Sequence, residues 1–114
     1  MGFYESSELS PKAIQILNNE QCAVSIASLW EMSIKSSLGK LILSQTVIEI
    51  AAKCKEYEIE IIPVEPKHCH LVMNMPFIHR DPFDRMLIAQ AQTEKMIIIT
   101  RDYFIPQYDV KTIW

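Results

Sequence analysis

The sequence is poor in glycine and cysteine and has no long apolar run. Its two glycines, Gly2 and Gly39, lie in no glycine-rich loop, so the phosphate-loop and dinucleotide-binding fingerprints are absent. Three cysteines without a C-x-x-C pair indicate a reducing compartment rather than a disulfide framework. No apolar run approaches the roughly 20 residues of a membrane helix, and the amino terminus lacks the apolar core of a signal peptide. We therefore expect a cytoplasmic protein without membrane association or nucleotide cofactor.

A surplus of positive charge is also missing. Eleven Lys and Arg against fourteen Asp and Glu give a formal net charge of −3. This balance excludes a protein that coats nucleic acid by bulk charge, so any nucleic-acid site must be local. The chain does have 49% hydrophobic residues in 114 positions, which is enough for one domain spanning residues 1–114 with its own core.

Strand and helix signals alternate along the chain. Predicted strands lie at residues 22–26, 59–64, 96–100 and 110–113. Predicted helices begin after the Ser10 cap, at residue 27, after a Ser44 cap, at Pro66 and at the pair Asp81-Pro82. The helix after residue 26 is expected to end at Gly39. Such alternation is typical of an α/β fold with a mainly parallel sheet.

Acidic residues recur where ligands bind such sheets, beyond the carboxyl ends of the strands. Glu31 lies one turn into the helix that follows the first strand, and Asp102 lies two residues after the strongest strand. Asp81 and Asp84 begin the helix that leads into that strand. The sequence therefore predicts that carboxylates from separate connections meet at one edge of the sheet.

Each of these acids also has a purely structural interpretation. Glu31 can pair with Lys35 one turn along its helix, Asp81 can cap its helix with Asp84 completing a capping box, and Asp102 can stabilise a turn. If the acids do converge, they repel one another unless a hard cation such as Mg²⁺ or Mn²⁺ neutralises them. Such cations activate water for attack on phosphodiesters, so convergence would indicate metal-dependent hydrolysis of nucleic acid.

Basic residues beside these acids can hold a phosphate backbone. They are Lys35, Lys40, Arg80, Arg85 and Arg101. The alternative for these residues is solvation or pairing with nearby acids.

A second cluster of ligand-type residues, His68-Cys69-His70, is not expected to bind metal. Adjacent helix residues point about 100° apart, so the three side chains cannot easily converge on one tetrahedral ion. We expect ordinary helix positions there.

Four short motifs carry a resemblance to a known family. They are SIASLWE at residues 25–31, SLGKL at 37–41, HRDPFDRMLIAQA at 79–91 and TRD at 100–102. In order and spacing they resemble the PIN-domain family and, more narrowly, the VapC-type toxins of bacterial toxin/antitoxin pairs. The similarity covers nearly the whole chain, from about Leu9 to Trp114.

The resemblance implies a three-layer sandwich with the activity of a metal-dependent endoribonuclease. Such an enzyme cuts RNA at an acidic Mg²⁺ or Mn²⁺ site and is held inactive by a cognate antitoxin. Glu31, Asp84 and Asp102 match the family's catalytic and metal-binding acids, while Asp81 is expected to act as a cap behind them. Toxins of this kind commonly form dimers, so a homodimer is expected.

The resemblance breaks off at the amino terminus. The family begins with a central strand that ends in a metal-binding aspartate and lies between the strands corresponding to residues 22–26 and 96–100. The segment MGFYE at residues 1–5 offers no such strand. The resemblance thus implies that this strand is absent and that catalysis is impaired. Two alternatives remain open: a non-catalytic PIN-like fragment or relative that binds an antitoxin, and an unrelated α/β ligand-binding domain.

Overall fold

The computed structural model describes residues 10–12, 15 and 19–114, and helices alternate with strands along them. The elements are β1 (Ala23–Ser25), α1 (Ile26–Ser37), α2 (Val47–Glu56), β2 (Glu60–Ile62), α3 (Pro66–Met73), α4 (Pro82–Glu94), β3 (Ile98–Ile99), a 3₁₀ helix (Ile105–Gln107) and β4 (Thr112–Ile113). This order confirms the α/β class. Much of the helix predicted after Ser10, at residues 13, 14 and 16–18, lies outside the described residues.

Helix α1 follows β1 without a loop because the last strand residue is also its cap. The Ser25 side chain accepts a hydrogen bond from the Ala27 N–H at 3.0 Å. The helix ends one residue before its predicted limit, and Gly39 follows with a positive φ of 71° that favours glycine. Leu29 and Met32 are buried on the inner face of α1. Glu31, the acid on this helix, therefore lies beyond the carboxyl end of β1.

The cap of α2 is not the predicted Ser44. Thr46 occupies that position and forms a capping box in which its hydroxyl accepts from the Glu49 N–H while the Glu49 carboxylate accepts from the Thr46 N–H. The physical reason is the residue three positions on. Ser44 is followed by Val47 at that spacing, and valine cannot return the second hydrogen bond.

Both strand pairs are parallel, as predicted, but they form two separate sheets. Strand β1 pairs with β2, with Val24 opposite Ile61, and β3 pairs with β4, with Ile98 opposite Thr112. Each strand is shorter than its predicted range. Between β1 and β3 lies a groove of about 530 Å³, lined mainly by apolar residues of both sheets and of α4. The described residues therefore form two half-sheets rather than one continuous sheet.

Helix α4 is the centre of the core. Ile88 and Ala91 pack with Ile98, Ile105 and Tyr108, which join the helix to β3 and to the 3₁₀ helix. At 13 residues α4 is the longest of the helices given above, and among the described residues no helix has the length and apolarity to cross a bilayer.

Candidate metal centre

The start of α4 places the first acid of the site. The Asp81 carboxylate accepts hydrogen bonds from the N–H groups of Phe83 at 2.9 Å and Asp84 at 3.2 Å, and Pro82 occupies the first helical position. The predicted capping role of Asp81 is thereby confirmed. Asp84 then lies in the first turn, where its side chain is 22% exposed.

A tight turn after β3 places the second acid. One oxygen of Asp102 accepts from the N–H groups of Phe104 at 2.8 Å and Ile105 at 3.0 Å, which begin the 3₁₀ helix. The Asp102 N–H donates to the Thr100 hydroxyl at 3.0 Å. Asp102 therefore has the local turn role that the sequence allows, and the same turn fixes the direction of its carboxylate.

The two connections meet. Single ligand atoms of His79, Asp84 and Asp102 lie within 4.8 Å of one another. The structure thus brings together two of the three acids that sequence reasoning selected. It adds His79, and it leaves Glu31 outside this innermost group.

The pKa of Asp84 reflects both its burial and the acids near it. Burial raises its pKa to about 6, with further upward contributions from the charges of Asp81, Asp102 and Glu31, against a lowering by the His79 hydrogen bond. Glu31 is therefore close enough to be felt at the site. A buried carboxylate among like charges, with hard oxygen donors beside it, suits a hard divalent cation.

Glu31 has a partner on its own helix. Its carboxylate lies 2.8 Å from the Lys35 ammonium, so the ion pair expected at this spacing is present. The Glu31 side chain is 17% exposed, whereas that of Lys35 is 51% exposed. The acid thus points toward the protein while the lysine lies at the surface.

Arg85 does not lie where a phosphate contact requires it. It is buried at 6% exposure, and its guanidinium donates to the carbonyl oxygens of Pro76 at 2.9 Å and Val72 at 3.3 Å and to the Tyr108 hydroxyl at 3.2 Å. The expectation of a phosphate contact for Arg85 is therefore wrong in this fold. Its guanidinium nitrogens are thus committed to oxygens of the protein itself.

The other flanking cations lie at the surface. Arg80 is exposed directly before the Asp81 cap, and the Arg101 guanidinium lies 5.4 Å from the centre of the Trp114 ring. Both precede acids of the site in the chain.

His79 is the site residue to which sequence reasoning gave no role. Its ring stacks on Phe104 with centres 5.2 Å apart, and its two nitrogens lie 2.9 Å from the Tyr108 hydroxyl and 3.4 Å from an Asp84 oxygen. The available signal was its position within the HRDPFD stretch, five residues before Asp84.

The His68-Cys69-His70 stretch does not converge, as expected. His68 is fully buried, whereas Cys69 and His70 are exposed. His68 instead comes near Glu65 and Glu94. Its Nδ1 accepts from the Glu65 N–H, its Nε2 lies 3.0 Å from Glu94, and the Lys67 ammonium lies 3.1 Å from the same carboxylate. These contacts form a structural clasp that joins α3 to the end of α4.

Comparison with known proteins identifies one family. A family model described as PIN domain matches residues 1–111. None of the curated proteins that were compared with the chain is significantly similar to it.

Proposed function

The chain belongs to the PIN-domain family, whose members are generally nucleases that use divalent metals, and we propose that it is an endoribonuclease of the VapC toxin type. The observation that carries this proposal is the proximity of Asp84, in the first turn of α4, to Asp102, in the turn after β3. A pKa near 6 at Asp84 adds to it, because perturbed carboxylates cluster at functional sites.

Asp84 and Asp102 would hold the cation, with Glu31 beside them. Their carboxylate oxygens are the hard donors that Mg²⁺ and Mn²⁺ prefer. When bound, such a cation supplies Lewis-acid polarisation of a phosphodiester and activation of a water molecule. The chain's own contribution is to hold both carboxylates in place, and Asp84 is mostly deprotonated only above about pH 6.

The substrate would approach over exposed basic groups. Arg80 and Arg101 flank the acids at the surface, and Lys35 lies beside Glu31. Single-stranded RNA is the proposed substrate because its phosphates can reach such local cations despite the net negative charge of the chain. We therefore assign phosphate contacts to the exposed Arg80, Arg101 and Lys35. The buried Arg85 has a structural role.

We further propose that the site is completed by a strand lying in the groove between β1 and β3. Within the described residues these strands pair with β2 and β4 respectively, so each has an edge to offer. Gln90, which is 3% exposed and lines the groove, has a side-chain oxygen without a hydrogen-bond partner among the described residues. A strand parallel to β1 and β3 would bring its carboxyl end, and the family's further aspartate, to the edge that carries Asp84 and Asp102.

Cleavage of a fluorescent single-stranded RNA in Mg²⁺ or Mn²⁺ tests the proposal. Two versions are compared, the 114-residue chain and a chain extended by an apolar strand that ends in Asp-Thr. We expect slow cleavage by the first and faster, EDTA-sensitive cleavage by the second. Asp84→Asn and Asp102→Asn should abolish it, and an extension ending in Asn-Thr should give no gain. Cleavage that survives both substitutions, or an extended chain without activity, would refute the proposal.

Binding of a cognate antitoxin, with or without catalysis, is the second candidate function. Several large apolar side chains are exposed and favour it, among them Trp30 at 64%, Phe77 at 73% and Tyr103 at 77%. Self-association into a homodimer is proposed on the same ground. Light scattering tests each in turn, because a homodimer doubles the mass of the isolated chain and antitoxin binding raises the mass further when the partner is added.

A further inference from the structure

The hydroxyl of Tyr108 joins α4 to His79. Tyr108 is 5% exposed, and its oxygen lies 3.2 Å from the His79 backbone nitrogen, 3.2 Å from Arg85 Nη1 and 2.9 Å from His79 Nδ1. The first two groups are an N–H and a guanidinium, which only donate. Tyr108 therefore accepts from both.

The remaining hydrogen of Tyr108 then has one destination among these contacts. A phenol carries a single proton, and the ring nitrogen Nδ1 of His79 is the partner that can receive it. A neutral imidazole that accepts at Nδ1 carries its own hydrogen at Nε2. Proton counting thus fixes the tautomer of His79 as the Nε2–H form.

The Nε2–H of His79 is directed at the metal centre. Nε2 lies 3.4 Å from Asp84 Oδ2, and stacking on Phe104 at an interplanar angle of 16° holds the plane of the ring. A hydrogen bond at this long end of the range tightens readily once a ligand draws the acids together. The guanidinium of Arg85 donates to both the Pro76 carbonyl and the Tyr108 hydroxyl, and so it helps to fix the position of the Tyr108 oxygen.

We infer that His79 is a positioning residue that donates its Nε2–H to Asp84 and orients that carboxylate, rather than a third ligand of the cation. The inference rests on the metal site proposed above and adds the group that holds its central acid. Ligation through Nε2 would require the hydrogen on Nδ1. The Tyr108 oxygen would then face three donors, and its own buried hydrogen would lose its acceptor, which is costly.

Long-range ¹H–¹⁵N NMR reads the tautomer directly in the 114-residue chain at pH 7.5. The sequence has three histidines, and His79→Gln assigns the signals of His79. We expect the Nε2–H form for His79 before and after addition of Mg²⁺. His68 is an internal reference, because its Nδ1 accepts from the Glu65 N–H. A hydrogen on Nδ1 of His79, either in the free protein or after Mg²⁺ is added, would overturn the inference.

Mn²⁺ affinity provides the second readout. Loss of a group that orients a metal-binding carboxylate typically weakens metal affinity about 10- to 100-fold. His79→Ala should therefore weaken binding at least tenfold, whereas His79→Gln, which keeps an N–H donor, should stay within about threefold of the wild type. Equal losses in the two variants would indicate a ligand and overturn the inference, as would no loss in either.

The two readouts separate this inference from the proposed function. Wild-type binding of Mn²⁺ together with an Nδ1–H tautomer would overturn the inference and leave the proposed metal site standing. Failure of the wild type to bind Mn²⁺ at all would overturn both. Tyr108→Phe provides a further check, since removal of the hydroxyl should let the Nδ1–H form of His79 appear without any change in the ring itself.

Discussion

Asp84 is the residue at which folding and the proposed chemistry oppose each other. Its pKa is raised from 3.8 to about 6, with burial the largest cause. The folded chain therefore binds this proton more tightly than the unfolded chain does. Stability associated with Asp84 is fully present below the unfolded pKa and is lost as the pH rises through about 6. At neutral pH the ionised Asp84 therefore lowers the stability of the metal-free protein, whereas a bound cation would be attracted to the same charge.

Asp84→Asn should accordingly stabilise the metal-free protein at pH 7.5. A shift of this size, discounted for partial exposure of the side chain, corresponds to about 1–2 kcal/mol. Urea unfolding in EDTA at several pH values measures it, and the gain over the wild type should disappear near pH 4. Asp109→Asn, at an exposed aspartate, is the matched control and should change little. A less stable Asp84→Asn protein at pH 7.5 would contradict this interpretation of the site.

What the sequence reveals about single residues depends on how local their role is. The capping role of Asp81 was predictable because the cap and its partners lie within three residues. The roles of Arg85 and His79 were not, because both depend on Tyr108, which lies more than twenty residues further along the chain. Nothing in the local pattern distinguishes a buried arginine from one that faces a phosphate.

At the scale of elements, Arg85 ties α4 to the end of α3 and to the loop that follows it. Its guanidinium reaches the Val72 carbonyl on α3 and the Pro76 carbonyl in the loop. The two helices are further clasped by His68 on α3 and Glu94 at the end of α4. The hydrogen bond from His68 and the Lys67 ammonium both lower the pKa of Glu94, so this clasp operates with Glu94 ionised at neutral pH.

Arg85→Met and Arg80→Met form a matched pair that separates the structural arginine from the exposed one. Arg85→Met removes three hydrogen bonds of a buried charged group and should cost about 2–4 kcal/mol of unfolding free energy. Arg80→Met should change stability by less than about 0.5 kcal/mol but weaken RNA binding. Chemical denaturation gives the first quantity and fluorescence anisotropy with RNA the second. Equal stability of the two variants would contradict the burial of Arg85.

The start of α2 offers a similar comparison. Because Thr46 forms the capping box with Glu49, Thr46→Ala should destabilise the protein by about 1 kcal/mol, whereas Ser44→Ala should be nearly neutral. Thermal or urea unfolding of both variants measures the difference. A larger loss of stability for Ser44→Ala than for Thr46→Ala would indicate that Ser44 is the cap.

Helix starts were easier to predict than strand extents, for a physical reason. The cap at Asp81 and the proline at Pro66 act through neighbouring residues, and both helices begin where predicted. A strand ends where its partner ends. Of the strand predicted at residues 96–100, β3 therefore keeps only Ile98–Ile99, the two residues that pair with β4.

The described part of the molecule consists of two parallel half-sheets around α4 with a groove between them. Alternation along the chain was sufficient to predict the α/β class and the parallel pairing. It could not predict the division into two sheets, which depends on contacts between residues far apart in sequence. The convergence of Asp84 with Asp102 was predictable from the rule that parallel strands end at one edge, whereas the place of Glu31 outside their group was not.

A calorimetric titration with Mn²⁺ at pH 7.5 and pH 5 tests whether Asp84 and Asp102 form one cation site, as proposed. We expect a single site per chain. Because Asp84 titrates near pH 6, about a tenth of it is ionised at pH 5, so the apparent affinity should fall about tenfold between the two conditions. Asp84→Asn and Asp102→Asn should each remove binding, and Asp109→Asn should preserve it. An isotherm that Asp84→Asn leaves unchanged, or an affinity that is equally high at pH 5, would contradict a cation site shared by Asp84 and Asp102.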